Sequence, residues 1–165
     1  MRYKMIYILF LIFLLITIPY VITVFLSQQD KNIQFENYDS GYQVISGNDK
    51  DDLETYLLKI LPGQISMDQE NEAVKAQAVI LRTDIIRRME NKKQIARQKL
   101  PYTTYENSEY RKKLGNRSYQ SMDQKRKKSV SETRGKVITY KNKLIEPYFH
   151  ALSVGMTLDS REWFG

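Results

Sequence analysis

The chain has 165 residues, no cysteine and a formal net charge of +7, with a pI near 9.4. Without cysteine it can form neither a disulfide nor a thiolate metal site. The basic excess predicts a polyanionic neighbour, which would be nucleic acid inside a cell and an anionic wall polymer or lipid headgroups outside it.

A membrane anchor is predicted at the N-terminus, because the run from Met5 to Leu26 is apolar and carries no charge. A helix of this length spans roughly 33 Å, which is enough for the bilayer core. No small-residue cleavage site precedes Ser27, as a signal peptide would require. Arg2 and Lys4 come before the run. Their charge predicts a single-pass protein of the cell membrane with a cytoplasmic N-terminus and an extracytoplasmic C-terminal domain, which argues against nucleic acid as a partner.

The composition divides the chain into three predicted segments. Residues 1–27 form the cytoplasmic N-terminus and anchor, residues 28–50 a juxtamembrane stalk with one short strand around Tyr42 to Ile45, and residues 51–165 the extracytoplasmic domain. The predicted fold class is α+β, because helical patterns come first and a β-hairpin pattern follows.

Two amphipathic helices are predicted at the start of the domain. Asp51 or Asp52 caps the first, which continues to about Leu61 and is broken by Pro62 and Gly63. Ser66 or Asp68 caps the second, which continues to about Arg88. The predicted buried faces follow three- and four-residue steps: Leu53, Tyr56, Leu57 and Ile60 in the first helix, and Val74, Ala78, Leu81, Ile85 and Met89 in the second.

The C-terminal half begins with a basic stretch that has helical patterns and ends with a stretch that has the pattern of β-strands. "SEYRKKLG" and "YQSMDQKRKKSVSETRG" predict two further helices, ended by Gly115 and Gly135. The run "KRKK" is typical of a solvated helix face, and a dedicated polyanion site is the alternative. "KVITY", "KN" and "KLIEPYFHALS" predict a hairpin in which Asn142 takes a left-handed conformation.

Three stretches in a fixed order carry a family resemblance: "LETYLLKILPGQIS...ENEAVKAQAVILRT", "SETRGKVITYKNKLIEPYFHALSVGMT" and "SREWFG". Over residues 51–165 they resemble the stage II sporulation protein D family, also called SpoIID/LytB. The resemblance implies an N-terminal transmembrane helix followed by a SpoIID-like mixed helix and β-hairpin domain. The family domain normally continues beyond "WFG", which leaves open whether residues 51–165 are C-terminally truncated.

The resemblance also implies a function. Family members act on peptidoglycan during engulfment in sporulation, and active members are lytic transglycosylases of glycan strands stripped of stem peptides. Their partners are an amidase and other engulfment membrane proteins. Some members hold zinc through histidine and cysteine; here only His150 matches, so no metal and no cofactor are expected.

Gln64 matches the family's catalytic glutamate, since counting eight residues on from Tyr56 and eight back from Glu72 reaches the same position. A lytic transglycosylase needs a carboxyl group to protonate the glycosidic oxygen and then to accept a proton from the sugar's 6-hydroxyl. A carboxamide does neither, although it can hydrogen-bond a sugar hydroxyl. Gln64 is therefore a degenerate catalytic position, unless Asp68, Glu70 or Glu72 has taken over as the acid.

The family resemblance implies that the remaining predicted site residues bind substrate. Arg82 and Thr83 match the family's A-R-T, and His150, Ser153 and Gly155 match its H-x-x-S-x-G. Arg82 has a structural alternative, a surface salt bridge or a buried arginine, and His150 has the alternative of a packed, hydrogen-bonded side chain. Tyrosines between Tyr102 and Tyr119 could stack on sugar rings or simply pack.

Two functional hypotheses follow. The first is a peptidoglycan-binding or peptidoglycan-remodelling protein with impaired catalysis at Gln64. The second is a non-enzymatic scaffold, or partner protein, of the sporulation cell-wall machinery.

Overall fold

The computed structural model describes residues 2–29 and 38–149. The chain divides into an N-terminal unit that contains the first helix and a second unit that contains the other described elements. The predicted boundaries of anchor, stalk and domain at residues 27 and 50 stay predictions.

In the N-terminal unit the structure describes one long helix, α1 (Arg2–Gln29), with Pro19 inside it. Its stretch Tyr3–Thr23 is long and apolar enough to cross a membrane. The predicted helix is therefore present at the predicted place. Pro19 is compatible with a helix of this kind, since local adjustments in membrane helices satisfy the backbone group that it frees.

Three short strands form one sheet in the second unit. The strands β1 (Gln43–Ser46) and β2 (Asp49–Asp52) are antiparallel, and β3 (Gln94–Ala96) pairs parallel with β1, which gives the order β2-β1-β3. The strand around Tyr42 to Ile45 is confirmed. The pattern missed β2, whose four residues are all charged, because pairing with β1 stabilises it in spite of low strand propensity.

Two helices direct their apolar faces into the core of this unit. The helix α2 (Leu53–Ile60) begins after Asp52, whose Oδ1 accepts from the Glu54 N–H at 2.9 Å, so the predicted cap is confirmed. A 3-10 turn (Leu61–Gly63) follows it, and α3 (Asn71–Arg88) comes next. The residues that were predicted to face the core are all buried: Leu53, Tyr56, Leu57, Ile60, Val74, Ala78, Leu81, Ile85 and Met89.

The predicted cap of α3 is wrong. The helix begins at Asn71, and Glu70 occupies the N-cap position without a side-chain bond to the backbone. Ser66 and Asp68 lie earlier, where the Ser66 hydroxyl donates to Asp68 Oδ2 at 3.2 Å. The two predicted cap residues therefore satisfy each other in a turn before the helix starts.

The basic half folds as two helices and a hairpin. After a second 3-10 turn (Arg97–Lys99), α4 (Asn107–Leu114) ends at Gly115, which has φ +77°, as predicted. The helix α5 (Asn116–Glu132) ends before Gly135. The strands β4 (Thr139–Tyr140) and β5 (Lys143–Leu144) form the predicted hairpin, and both turn residues, Lys141 and Asn142, have positive φ.

The run "KRKK" in α5 makes internal contacts. Arg126 is 1% exposed and donates to the Leu58 carbonyl at 3.0 Å, to Asn107 Oδ1 at 2.9 Å and to Asp123. Lys125 donates to the Gln69 carbonyl, and Lys127 pairs with Asp123 at 2.8 Å. Neither sequence interpretation is complete, because one member of the run is a core residue that joins α2, α4 and α5.

Because Arg126 is buried and Lys127 is partly exposed, substitutions of these two residues should change the stability of the domain by different amounts. Replacing Arg126 with Leu leaves the Leu58 carbonyl and one side of Asp123 unpaired, which should lower the free energy of unfolding by about 3 kcal/mol. Replacing the half-exposed Lys127 with Gln should cost less than about 1 kcal/mol. Urea unfolding of both variants, followed by tyrosine near-ultraviolet circular dichroism, measures the difference, and equal effects would contradict the core role of Arg126.

Candidate functional site

Gln64 lies at the end of the 3-10 turn that connects α2 to the segment before α3. Its N–H donates to the Leu61 carbonyl at 3.0 Å, which closes the turn. The residue is only partly buried, so its amide is accessible from solvent. An amide at this position can donate to one sugar oxygen and accept from another hydroxyl, and it carries no charge.

A tyrosine ring lies directly against this turn. A Cβ added to Gly63 would come within 2.7 Å of Tyr105 Cε2, so the ring occupies the space that any side chain at Gly63 would need. The Tyr105 N–H donates to the Lys59 carbonyl at 2.8 Å, which fixes the backbone of the tyrosine beside the end of α2. Tyr105 is partly exposed, so an aromatic surface lies next to the residue that precedes Gln64.

The segment that carries Tyr105 is fastened to α3 through Asp84. Tyr102 Oη donates to Asp84 Oδ2 at 2.6 Å, and Arg88 Nε donates to the same oxygen at 2.6 Å. Burial, and then the bond to the Asp84 carboxylate, raise the pKa of Tyr102 well above its ordinary value. Tyr102 therefore stays neutral and keeps donating over the physiological pH range.

The three alternative acids differ from a buried general acid in their surroundings. Asp68, Glu70 and Glu72 are all exposed. Asp68 accepts from Ser66, and the Glu72 carboxylate pairs with Lys75 at 2.7 Å on the first turn of α3. Enzymes hold a carboxyl group protonated near neutral pH by burying it among apolar groups. An exposed or cation-paired carboxylate has no such burial. Their assignment as relocated acids stays a prediction.

Arg82 is one of the most deeply buried side chains that the structure describes. Its Nε and Nη2 donate to the two oxygens of Glu54 at 2.8 and 2.7 Å, and both residues are 1% exposed. This bidentate geometry corresponds to the alternative of a buried structural arginine. A contact between Arg82 and substrate stays a prediction, and it would require part of this pairing to open.

The same arginine also binds the segment that leads into the hairpin. Arg82 Nη1 donates to the Lys136 carbonyl at 3.1 Å, and Nη2 lies 3.4 Å from Thr133 Oγ1. Thr83, which is fully buried, donates to the Val79 carbonyl at 2.7 Å and accepts from the Ile138 N–H at 3.0 Å. The two adjacent residues together hold residues 133–138 against α3.

The cavity beside Arg82 is described without Gln64 in its wall. Arg82 and Glu54 form part of the wall of a cavity of about 230 Å³ that also contacts Tyr38 and Tyr42. The described hydrogen bond of Gln64 is the one from its N–H to the Leu61 carbonyl in the 3-10 turn. The predicted catalytic position is partly exposed, whereas the predicted binding arginine is 1% exposed.

His150, Ser153 and Gly155 lie outside the described residues, so their predicted roles in binding stay predictions. The family's zinc ligands do not fit this chain, because it has no cysteine. Within residues 2–29 and 38–149 no three histidine, aspartate or glutamate side chains converge as a metal site would need.

No role was predicted for Glu54, although its spacing in the helix pattern indicates a buried side chain. Glu54 comes between Leu53 and Leu57 at spacings that keep it near the buried face of α2. A carboxylate on a core-facing position requires a cation partner, and Arg82 is that partner. The position of Tyr105 had no comparable signal, since the contact with Gly63 depends on how the loop folds back.

The Thr83 contact predicts a difference between two conservative substitutions. Thr83→Val keeps the shape but leaves the Ile138 N–H without its acceptor, which should cost about 1–3 kcal/mol of stability. Thr83→Ser keeps the hydroxyl and should cost less than about 1 kcal/mol. Amide hydrogen exchange at Ile138 should become faster in the valine variant alone. Equal exchange rates in both variants would contradict the hydrogen bond from the Ile138 N–H to the Thr83 hydroxyl.

The contact between Gly63 and Tyr105 predicts a coupled pair. Gly63→Ala should destabilise the domain by about 1–3 kcal/mol, because the new methyl group displaces the ring. In a Tyr105→Ala background the same change should be nearly neutral. A double-mutant cycle measures the coupling, and an additive result would show that the ring does not press on Gly63 in solution.

Comparison with known proteins gives a family assignment. The family model described as "SpoIID: Stage II sporulation protein" matches residues 39–140. The stage II sporulation proteins D of Bacillus subtilis and Bacillus amyloliquefaciens are each 29% identical to this chain over 119 residues. An uncharacterized protein of Brachyspira hyodysenteriae is 32% identical over 113 residues.

The coverage of these matches is unequal. They cover 68% of this chain but only 35% of each Bacillus protein and 29% of the Brachyspira protein, so the chain matches about a third of the length of its curated relatives. No solved structure matches. Because the family model covers more than half of the chain and spans the sheet, α2 to α5 and β4, the chain belongs to the SpoIID family of stage II sporulation proteins.

Proposed function

We propose that this chain is a membrane-anchored SpoIID-family protein of sporulation that binds peptidoglycan glycan strands during engulfment and is impaired in cutting them. The single observation that carries the proposal is the uncharged, partly exposed Gln64, which follows the Gly63 that contacts the Tyr105 ring. By resemblance, Gln64 matches the family's catalytic glutamate.

The geometry around Gln64 supports binding. Sugar rings stack on flat aromatic side chains, and sugar hydroxyls take part in hydrogen bonds both as donors and as acceptors. Tyr105 supplies the flat aromatic surface, and the Gln64 amide supplies a hydrogen-bond donor and acceptor. Gly63, which precedes Gln64, contacts the Tyr105 ring. The α1 helix supports the membrane anchor, since it is long and apolar enough to hold the chain in a bilayer.

The chemistry around Gln64 supports impaired catalysis. General acid–base help is typically worth about 10² to 10⁴ in rate, and an amide cannot supply it. The exposed carboxylates between Asp68 and Glu72 lack the surroundings of a general acid. The proposed partners are peptidoglycan glycan strands, an amidase and other engulfment membrane proteins.

A non-enzymatic scaffold is the second candidate. The observation that favours it is the internal pairing of Arg82 and Thr83, because residues expected to bind substrate instead hold the fold together. This candidate predicts that glycan binding is absent while copurification with membrane partners survives substitution of Gln64.

Restoring the carboxylate tests the leading proposal. The full chain in detergent is incubated with peptide-free glycan strands, and the anhydro-sugar ends that form are counted. Wild type should release few, and Gln64→Glu should raise release by about 10²-fold or more. Gln69→Glu, which adds the same group at an exposed amide nearby, is the matched control and should release no more than wild type.

Two outcomes would count against the proposal. Strong release by wild type that survives Gln64→Ala would show that another acid does the chemistry. Absence of glycan binding by wild type, with partner association intact, would favour the scaffold.

A further inference from the structure

A groove on the domain carries more positive charge than its described neighbours neutralise. It has a volume of about 530 Å³ and lies between the loop that follows α3 and the turn of the β4–β5 hairpin. Its polar lining residues from these two turns are Glu90, Asn91, Lys92, Lys93, Asn142 and Lys143. We call it the lysine groove. It is described without Gln64 or Tyr105 in its wall.

The three lysines of the groove have no described anionic partner. Lys92, Lys93 and Lys143 are exposed, and within residues 2–29 and 38–149 their ammonium groups make no ion pair and no hydrogen bond. Glu90 is the one carboxylate among the described lining residues. An anion that enters the lysine groove therefore meets an excess of positive charge.

The arginine of the described lining is already occupied. Arg87 pairs with Asp84 at 3.5 Å and with Glu146 at 2.9 Å. The planar fork of an arginine suits the two oxygens of a carboxylate, whereas a lysine is a point charge that commonly binds phosphate. Because Arg87 is paired, the cations that remain for a ligand are ammonium groups, and their chemistry favours a phosphate over a carboxylate.

The backbone holds the three lysines in place without a ligand. The Lys92 N–H closes a turn of positive φ on the Met89 carbonyl at 2.9 Å. The Lys93 carbonyl accepts from the Gln43 N–H at 2.8 Å, which joins the loop to β1. On the other side, Lys143 pairs with Tyr140 across the left-handed turn of the hairpin. Since the loop and the turn are ordered in advance, little conformational entropy of the backbone is lost on binding.

The positions of the lysines favour a chain over a single phosphate ion. Lys92 and Lys93 belong to the loop and Lys143 to the hairpin, so the groove has cations from both of its sides. A polymer with one charge in every unit can contact both sides at once, which combines separate weak contacts in one ligand. Asn91 and Asn142 offer amides that can hydrogen-bond the hydroxyl groups of a polyol.

The apolar part of the lining favours a soluble chain over a bilayer surface. Tyr42, Ile86 and Leu144 are partly buried. A protein surface that lies on a membrane combines the attraction of its cations with apolar side chains that enter the lipid. Partly buried side chains in the wall of a groove are poorly placed to enter a bilayer, but they can pack against the carbon units of a chain.

We propose that the lysine groove binds a linear polyol phosphodiester, which is a chain of phosphates that alternate with hydroxyl-bearing carbon units. Each phosphodiester carries one negative charge at neutral pH and has two free oxygens that can accept from ammonium groups. This binding is separate from glycan binding at Gln64, so the inference goes beyond the proposed function and does not depend on it.

The test compares polymers that differ in their anionic group. The probes are fluorescently labelled poly(glycerol phosphate) and polygalacturonate, which carries a carboxylate and hydroxyl groups in every unit. The full chain in detergent should bind poly(glycerol phosphate) more tightly than polygalacturonate, as measured by fluorescence polarisation. The affinity should fall as salt is raised, because the lysines are exposed.

Two variants of the groove should change the affinity in opposite directions. The variant Lys92→Gln, Lys93→Gln, Lys143→Gln should bind poly(glycerol phosphate) about tenfold more weakly, because three exposed charge contacts are lost together. Glu90→Gln should bind it about threefold more tightly, because a carboxylate is removed from beside the phosphates. A gain of affinity cannot result from loss of the fold.

The matched control is the variant Lys50→Gln, Lys99→Gln, Lys112→Gln. It removes the same charge from other exposed lysines and should bind like wild type. Circular dichroism and the unfolding midpoint check that both triple variants fold. Micelles doped with phosphatidylglycerol, which carries the same phosphodiester in a lipid headgroup, should not displace the polymer better than micelles doped with phosphatidylcholine.

Each contrary outcome has one meaning. Unchanged polymer binding by the first triple variant, equal loss in the control, or a Glu90→Gln variant that binds no more tightly than wild type overturns the groove. Lysine-dependent binding of polygalacturonate at equal or higher affinity overturns the phosphodiester assignment. Selective displacement by phosphatidylglycerol makes the ligand a lipid headgroup and overturns the polymer assignment. Glycan release plays no part in these measurements, so the groove and the proposed function can fail independently.

Discussion

The bidentate ion pair between Arg82 and Glu54 is the interaction on which the rest of the domain depends. It joins α3 to α2 in the core, and the same guanidinium reaches the Lys136 carbonyl, so one side chain connects two helices with the segment before the hairpin. A buried pair of this kind contributes little net stability compared with an apolar pair, but removing one partner leaves a buried charge and costs several kcal/mol. We infer that the pair fixes how α2, α3 and the segment before the hairpin are arranged, more than it adds net stability.

The residues that were predicted to form the site differ in burial. Arg82 and Thr83 are directed inward and hold residues 133–138, while Gln64 remains accessible at the end of the 3-10 turn. Asp84, which follows Thr83, binds Tyr102 and so helps to place the segment that carries Tyr105. A single stretch of α3 thus positions both the hairpin and the aromatic ring beside Gly63, although neither lies near it in the sequence.

The helices and the hairpin could be predicted from sequence because each depends on local patterns. The apolar spacing in α2 and α3, the cap at Asp52, Gly115 after α4 and Asn142 in the hairpin turn all carried their signals in neighbouring residues. The strand β3, the burial of Arg126 and the contact of Tyr105 with Gly63 could not, because each depends on a partner distant in the chain. The strand β2 was missed because its four residues are all charged, although its partner β1 is close in the sequence. The assignment of Gln64 came from the family resemblance and stays a prediction.

The central claim is that a neutral amide lies where a glycosidic oxygen would need a proton. The most direct test is an experimental structure of the full chain bound to a peptide-free glycan fragment. The account predicts that the Gln64 amide hydrogen-bonds the sugar, with no carboxylate within about 3.2 Å of the scissile oxygen and with Arg82 still paired to Glu54. A carboxylate of Asp68, Glu70 or Glu72 at that oxygen would contradict it, and the chain would then be a working glycan-cleaving enzyme.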